Sequence, residues 1–305
     1  MNLYDSSKLP SAIINFIVRF FKIYYNFKFE LFNRRASNLE NFKDYQKTRP
    51  MGKKRIFCFA PYKNLYFGVD GKVVSCCLNR YDCLGNYPKQ SIKQIWEGNQ
   101  IKSLRNLFRQ NEIPKGCFLC LDRLESRNFD AVDARIFDVI HAKKNYPVMM
   151  EFELSNSCNL ECIMCSSYNS SMKAKNSKHE IGITHIYDDN FVNQLEEFIP
   201  HLKRVKFLGG EPFLIPIYYK IWDKFIKLNP GCIMLIQTNG TVLNDNIKKL
   251  INKGNFRISV SIDSFSKKTY ETIRVNSIFE DVMQNLAYFR EHALNNKYTF
   301  SVSIC

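Results

Sequence analysis

The sequence predicts an α/β protein in which repeated strand-helix units build a parallel sheet, preceded by a small β-hairpin plus helix module with its own cysteines. Three observations predict it. From Val148 onward, apolar strand-like runs alternate with amphipathic helical stretches, the pattern of parallel strands joined by crossover helices. Upstream, Asp70-Gly71 separates two β-prone runs, a strong hairpin signal. Finally, 11 cysteines in 305 residues fall in Cys-x2-Cys and Cys-x3-Cys-x2-Cys groups rather than spreading evenly.

With 45% hydrophobic residues the chain can fill one large core or two modest ones. Grouped cysteines without a secretory leader predict a reducing, cytoplasmic setting, not a secreted disulfide framework. The formal charge is +15, and residues 1–57 hold twelve basic and four acidic side chains, so about half of the excess lies in the first fifth of the chain. Such a segment suits an anionic membrane surface, nucleic acid or an acidic partner.

Residues 1–55 read as a basic amphipathic helix and linker. Asn15, Arg19, Lys22, Asn26, Glu30 and Asn33 draw one polar stripe, and Phe16, Phe20, Phe21, Ile23, Tyr24, Phe27 and Leu31 cover the rest. The uncharged run Leu9 to Val18 is about half of a bilayer crossing, so the helix packs on protein or lies in a membrane interface as a peripheral contact. Residues 34–55 read as a polar linker.

Residues 56–125 form the first cysteine module. The hairpin Leu65 to Cys76 brings Cys58 and Cys76 to one end. A helix over Ser91 to Arg109 follows, and Pro114 and Gly116 lead into Cys117-x2-Cys120. Two thiols from a hairpin and two from a tight turn make a four-thiolate pocket that suits zinc or an iron-sulfur cluster. Cys77 is an alternative to Cys76 as ligand, and Cys232 reads as a small core residue.

Residues 145–305 hold the strand-helix units, with strands predicted at Val148 to Leu154, Val205 to Leu208, Ile233 to Gln237, Arg257 to Ile262 and Tyr298 to Ile304. Helices are predicted over Asn190 to Leu202, Ile215 to Leu228, Asp245 to Asn252, Lys267 to Ile273 and Phe279 to Leu294. The unusual residues follow the strands, where the working ends of parallel sheets lie. Cys158, Cys162 and Cys165 follow the first strand, Gly209-Gly210-Glu211-Pro212 the second and Thr238-Asn239-Gly240 the third; Ser261 and Asp263 close the fourth. Three clustered thiols with no fourth nearby suit a four-iron four-sulfur cube that leaves one iron open. The polar stretch 166–189 reads as a loop able to cover that face.

These residues resemble the radical S-adenosylmethionine (SAM) superfamily, through Cys158-Asn-Leu-Glu-Cys162-Ile-Met-Cys165, Gly209-Gly-Glu-Pro, Thr238-Asn-Gly and Val260-Ser-Ile-Asp263 in order. The block from Cys58 through Gly71, Cys76, Leu84-Gly-Asn86 and Ile95-Trp-Glu97 to Cys117-x2-Cys120 resembles the SPASM module in its single-cluster "twitch" form. The resemblance covers about residues 56–305 and implies a partial (β/α) barrel preceded by an iron-sulfur module. It implies that Cys158, Cys162 and Cys165 hold a 4Fe-4S cluster whose open iron chelates SAM. It implies a second, auxiliary 4Fe-4S cluster on Cys58, Cys76, Cys117 and Cys120.

By the same resemblance, Met164 contacts adenine through its backbone, Gly209 and Gly210 approach the methionyl group, and Glu211 lies near its ammonium. Ser261 and Asp263 face the ribose or methionyl group, Asn239 serves the cofactor or a turn, and Arg274 faces the cofactor carboxylate or solvent. The implied reaction is reductive cleavage of SAM to a 5'-deoxyadenosyl radical that abstracts hydrogen from a substrate such as a peptide, with flavodoxin or ferredoxin as electron donor. Two rival readings are a non-catalytic cluster or zinc scaffold and a nucleic-acid-modifying enzyme. The module precedes the barrel here, whereas in the family it usually follows, and the sequence ends within the fifth predicted strand where the family commonly has six.

Overall fold

The computed structural model describes residues 40–141, 145–176 and 186–304. The amphipathic segment 11–33 lies outside the described residues. Eight strands form one sheet in the order β3-β2-β1-β4-β5-β6-β7-β8. They are β1 (Asn64–Phe67), β2 (Lys72–Val74), β3 (Gly85–Asn86), β4 (Met149–Phe152), β5 (Arg204–Phe207), β6 (Ile233–Thr238), β7 (Phe256–Ser261) and β8 (Ser301–Ser303). β1 and β4 to β8 run parallel, while β2 and β3 are antiparallel additions at one edge. Among the described residues the sheet is not closed.

Alternation along each strand separates two faces. One carries Phe152, Val205, Phe207, Met234 and Ile236, all buried. Phe207 meets Phe152 at 5.3 Å and packs on Tyr218, Trp222 and Phe225 of the helix Pro216–Leu228 at 5.0, 5.5 and 6.4 Å. The other face is the inside of an unclosed barrel. Tyr66, Glu151, Lys206, Leu235 and Arg257 stand in one row across it by strand register.

The hairpin forms as its Asp-Gly turn predicts, and β1 then pairs with β4, so the two cysteine modules share one sheet. Aromatic packing welds the junction. Phe67 stacks on Phe152 at 5.6 Å, and Tyr87 stacks on Tyr187 at 5.4 Å. Tyr187 donates to the Gly68 carbonyl at 2.6 Å.

Several predicted elements differ; the helix expected over Asn190 to Leu202 ends at Leu195. The stretch read as the polar linker 34–55 contains a helix, Phe42–Thr48, because Phe42 and Tyr45 share a face that packs on Phe57. Arg49 just beyond it makes a fully buried pair with Asp138 at 2.6 and 2.9 Å. The helix expected over Ser91 to Arg109 is two, Ile92–Trp96 and Asn99–Arg109, interrupted at Glu97-Gly98. Within 166–189, residues Ser171–Asn176 are helical and Ser170 Oγ accepts the Lys173 N–H at 3.3 Å; residues 177–185 lie outside the described residues.

Candidate active site

Strand direction sorts the two thiol groups. Cys58 precedes the short helix Ala60–Lys63 that leads into β1, and Cys76 follows the antiparallel β2, so both lie where β1 begins. Asn64, the first residue of β1, donates to the Ser75 carbonyl at 3.1 Å. Cys158 to Cys165 follow β4, at the opposite end of the sheet. A four-residue strand separates them by roughly 13 Å or more.

Cys58 and Cys120 are buried, and Cys76 and Cys117 pack against the same core. Burial pushes the Cys58 thiol up to about 12 and Cys120 up to about 11, and Cys76 and Cys117 rise well above the usual range for the same reason. Charges on Cys58, Cys76 and Cys120 act on Cys117 in turn, so the four thiols share one pocket. The Ala60 N–H points at Cys58 Sγ at 3.3 Å and Asn79 Nδ2 at Cys117 Sγ at 3.5 Å, donors that favour thiolate. Cys77 is set apart. It faces Glu151 and Lys206 across a cavity of about 260 Å³ at the barrel floor.

At the carboxyl end, the loop 156–165 is held from three sides. On the first, Ser171 Oγ accepts the Cys158 N–H at 3.0 Å, Ser170 Oγ donates to the Leu160 carbonyl at 2.7 Å, and Lys173 Nζ donates to the Cys162 and Ile163 carbonyls at 3.0 and 3.2 Å. On the second, the Glu161 and Ile163 N–H groups donate to the Val275 and Ile273 carbonyls at 3.1 and 2.9 Å.

The third side is the Gly209-Gly210-Glu211 turn. Gly210 N–H donates to the Ser155 carbonyl at 3.1 Å and Glu211 N–H to the Ser157 carbonyl at 2.7 Å. A Cβ on Gly210 would stand 2.2 Å from the Ser157 oxygen, and one on Gly209, at φ +121°, would stand 2.4 Å from the Ser155 oxygen. Both glycines are therefore required by the close approach of this turn to the thiol loop.

Glu211 is fully buried and its carboxylate is turned into the fold. Its oxygens accept the Phe213 N–H at 3.1 Å, Thr238 Oγ1 at 2.8 Å and the Asn239 N–H at 2.7 Å. Burial outweighs these donors and raises the carboxyl to about 7. Asn239 then reaches the thiol loop, with Nδ2 3.9 Å from Cys158 Sγ and 3.0 Å from Asn159 Oδ1, while its Oδ1 accepts the Thr241 N–H at 2.9 Å. Turn and thiol-loop roles thus coexist in Asn239.

Ser261 is buried on the inner face and accepts from Gln237 Nε2 at 2.8 Å. Asp263 pairs with Arg274 Nε at 2.8 Å, each side chain about 5% exposed. Arg274, neither solvated nor free, lies close enough to Cys162 and Cys165 to favour their thiolates. The two thiols are hydrogen-bonded to each other, which holds Cys165 below the ordinary thiol range and pushes Cys162 up. Met164 is exposed beside them. Sequence reasoning missed Ser170, Ser171 and Lys173; the Ser-Ser pair ahead of Met172-Lys-Ala-Lys was an available helix-start signal.

Three loop thiols at the carboxyl end of a parallel sheet, with four more behind them, define an iron-sulfur α/β protein. Among the described residues no three His, Cys, Asp or Glu side chains converge on one metal ion. A donor set made of thiols alone, three on one loop and four in one pocket, fits iron-sulfur clusters.

The family model of the radical SAM superfamily matches residues 152–304, half of the chain, and that of SPASM, an iron-sulfur cluster-binding domain, matches residues 58–121. The chain belongs to the radical SAM superfamily, and these domains imply a SAM-binding 4Fe-4S cluster and an auxiliary iron-sulfur cluster.

Curated relatives include GTP 3',8-cyclase of Streptomyces coelicolor, 28% identical over 48% of this chain and 41% of that protein. AdoMet-dependent heme synthase of Methanosarcina barkeri is 28% identical over 49% and 41%. A cysteine-type anaerobic sulfatase-maturating enzyme of Clostridium novyi is 27% identical over 43% and 37%. The chain thus spans less than half the length of these relatives. Among solved structures, anSMEcpe with bound AdoMet matches at 22% identity with a TM-score of 0.37, covering 51% of this chain and 42% of that one. Streptococcus suis SuiB bound to precursor peptide SuiA matches at 14% identity and 0.36, covering 68% and 45%.

Proposed function

We propose that this chain acts as a radical SAM enzyme that abstracts a hydrogen atom from a peptide substrate. The observation that carries the reading is the thiol loop, which presents three cysteines at the mouth of a polar half-barrel, with no fourth thiol beside them among the described residues. When bound, the cluster and SAM supply one electron and a 5'-deoxyadenosyl radical.

The protein's own residues position and protect. Ser170, Ser171 and Lys173 fix the loop backbone from one flank and the Ile273 to Asn276 segment from the other, so the loop backbone needs little reorganisation on metal binding. Glu211 acts through Asn239, not on a ligand, and Asp263 acts through Arg274. Both are positioning residues. The exposed Met164 backbone, the two glycines and Ser261 remain the cofactor contacts of this reading.

Arg80 bridges the two modules inside the half-barrel. Its Nε donates to the Cys77 carbonyl at 2.7 Å, and its Nη2 donates to Tyr66 at 2.6 Å and to Glu153 at 3.1 Å. A substrate in the lumen would lie between thiol groups at opposite ends, within reach of these polar side chains. The peptide class is supported by the sulfatase-maturating relative; GTP and heme relatives make small molecules the alternative outcome. A low-potential donor of flavodoxin or ferredoxin type fits a chain of +15 charge as an acidic partner. No helix among the described residues is long and apolar enough to cross a membrane.

The test is spectroscopic. In anaerobically reconstituted protein, SAM should shift the electron paramagnetic resonance of the reduced cluster, and C158A should lose that response. A signal indifferent to SAM contradicts the reading, and one zinc with no iron favours a scaffold.

A further inference from the structure

Lys173 is a cation that touches the backbone of the thiol loop. Its Nζ donates to the Cys162 carbonyl at 3.0 Å and the Ile163 carbonyl at 3.2 Å, and the side chain is only partly exposed. Arg274 also lies beside Cys162 and Cys165, but Asp263 neutralises it at 2.8 Å. Among the described residues no carboxylate lies within ion-pair distance of Lys173. Glu161, which feels its charge, is exposed and held by the Asn176 and Asn276 amides at 2.7 and 2.9 Å.

Two neutral carbonyls therefore fix an uncompensated positive charge against the loop that presents Cys158, Cys162 and Cys165. Taking up an electron makes a thiolate-bound iron-sulfur cluster more negative, and a fixed cation nearby stabilises that form. We propose that Lys173 is a positioning residue that sets the reduction potential of the loop's cluster, easing the electron uptake on which SAM cleavage depends. The proposal rests on the radical SAM reading of the loop.

The experiment is a redox titration of the reduced-cluster resonance in reconstituted K173Q, K173R and K175Q. Gln keeps an amide donor toward the carbonyls on a side chain one bond shorter and removes the charge; Lys175 is an exposed neighbouring cation. K173Q is expected to lower the ratio of reduced to oxidised cluster at a given potential about tenfold, or about 59 mV for one electron. K173R and K175Q should titrate like the wild type. An unchanged potential in K173Q overturns the proposal, as does an equal fall in K175Q. So does a K173Q protein that fails to retain iron while K173R retains it, which would make Lys173 a loop brace alone. A wild-type resonance indifferent to SAM would instead defeat the radical SAM reading, while leaving the potential comparison valid.

Discussion

Glu211 Oε2 accepts the backbone N–H of Asn239 at 2.7 Å, joining the turns that follow two neighbouring strands. Asn239 in turn meets Cys158, so a buried carboxylate that touches no thiol controls where one thiol stands.

A pH signature follows. The Glu211 carboxyl is raised to about 7 by burial, above its ordinary 4.5. A raised folded-state value gives stability that is fully present below pH 4.5 and is lost as pH rises through about 7. Urea unfolding of E211Q should lack this loss, because Gln does not ionise. An identical slope in wild type and E211Q between pH 4.5 and 7 contradicts the assignment.

Gly210→Ala should leave the fold and empty the loop. Its new Cβ meets the Ser157 oxygen at 2.2 Å, a backbone atom of the segment leading to Cys158. Iron after reconstitution should drop by about half, with the auxiliary cluster kept. Full iron content in the variant would show that the loop yields without consequence.

Cys76 and Cys77 are adjacent in sequence but face different surroundings. Cys76 shares the pocket of Cys58, Cys117 and Cys120, whereas Cys77 faces Glu151 and Lys206. C76A is therefore expected to lose roughly four of roughly eight irons and C77A none. The reverse pattern would reassign the ligand.

The Arg49–Asp138 pair has both side chains fully buried. R49M leaves the carboxylate without its partner and should cost about 3–5 kcal/mol in denaturant unfolding. Since Asp138 adjoins Phe137, whose carbonyl accepts from Lys63 just before β1, the loss should also loosen the auxiliary pocket. A change below about 1 kcal/mol would mean the pair is not buried in solution.

Much of this was legible in the sequence. The hairpin was written in Asp70-Gly71, and the parallel strands β4 to β8 in apolar runs that alternate with amphipathic helical stretches. The thiol groups were written in their spacing. The pairing of β1 with β4 was not, because both are short apolar runs with no local mark of a partner. Nor was the clamp by Ser170, Ser171 and Lys173, since a six-residue helix of Ser, Lys and Asn reads as a loop until its contacts are known. Glu211 and Asp263 sat in recognisable motifs, yet their partners, Thr238, Asn239 and Arg274, are set by tertiary packing.

The most direct test of the account is anaerobic incubation of cluster-loaded protein with SAM and dithionite, followed by quantification of 5'-deoxyadenosine. The account predicts release by the wild type and none by C158A, C162A or C165A. Absence of 5'-deoxyadenosine from a wild-type sample with a full complement of iron would contradict it.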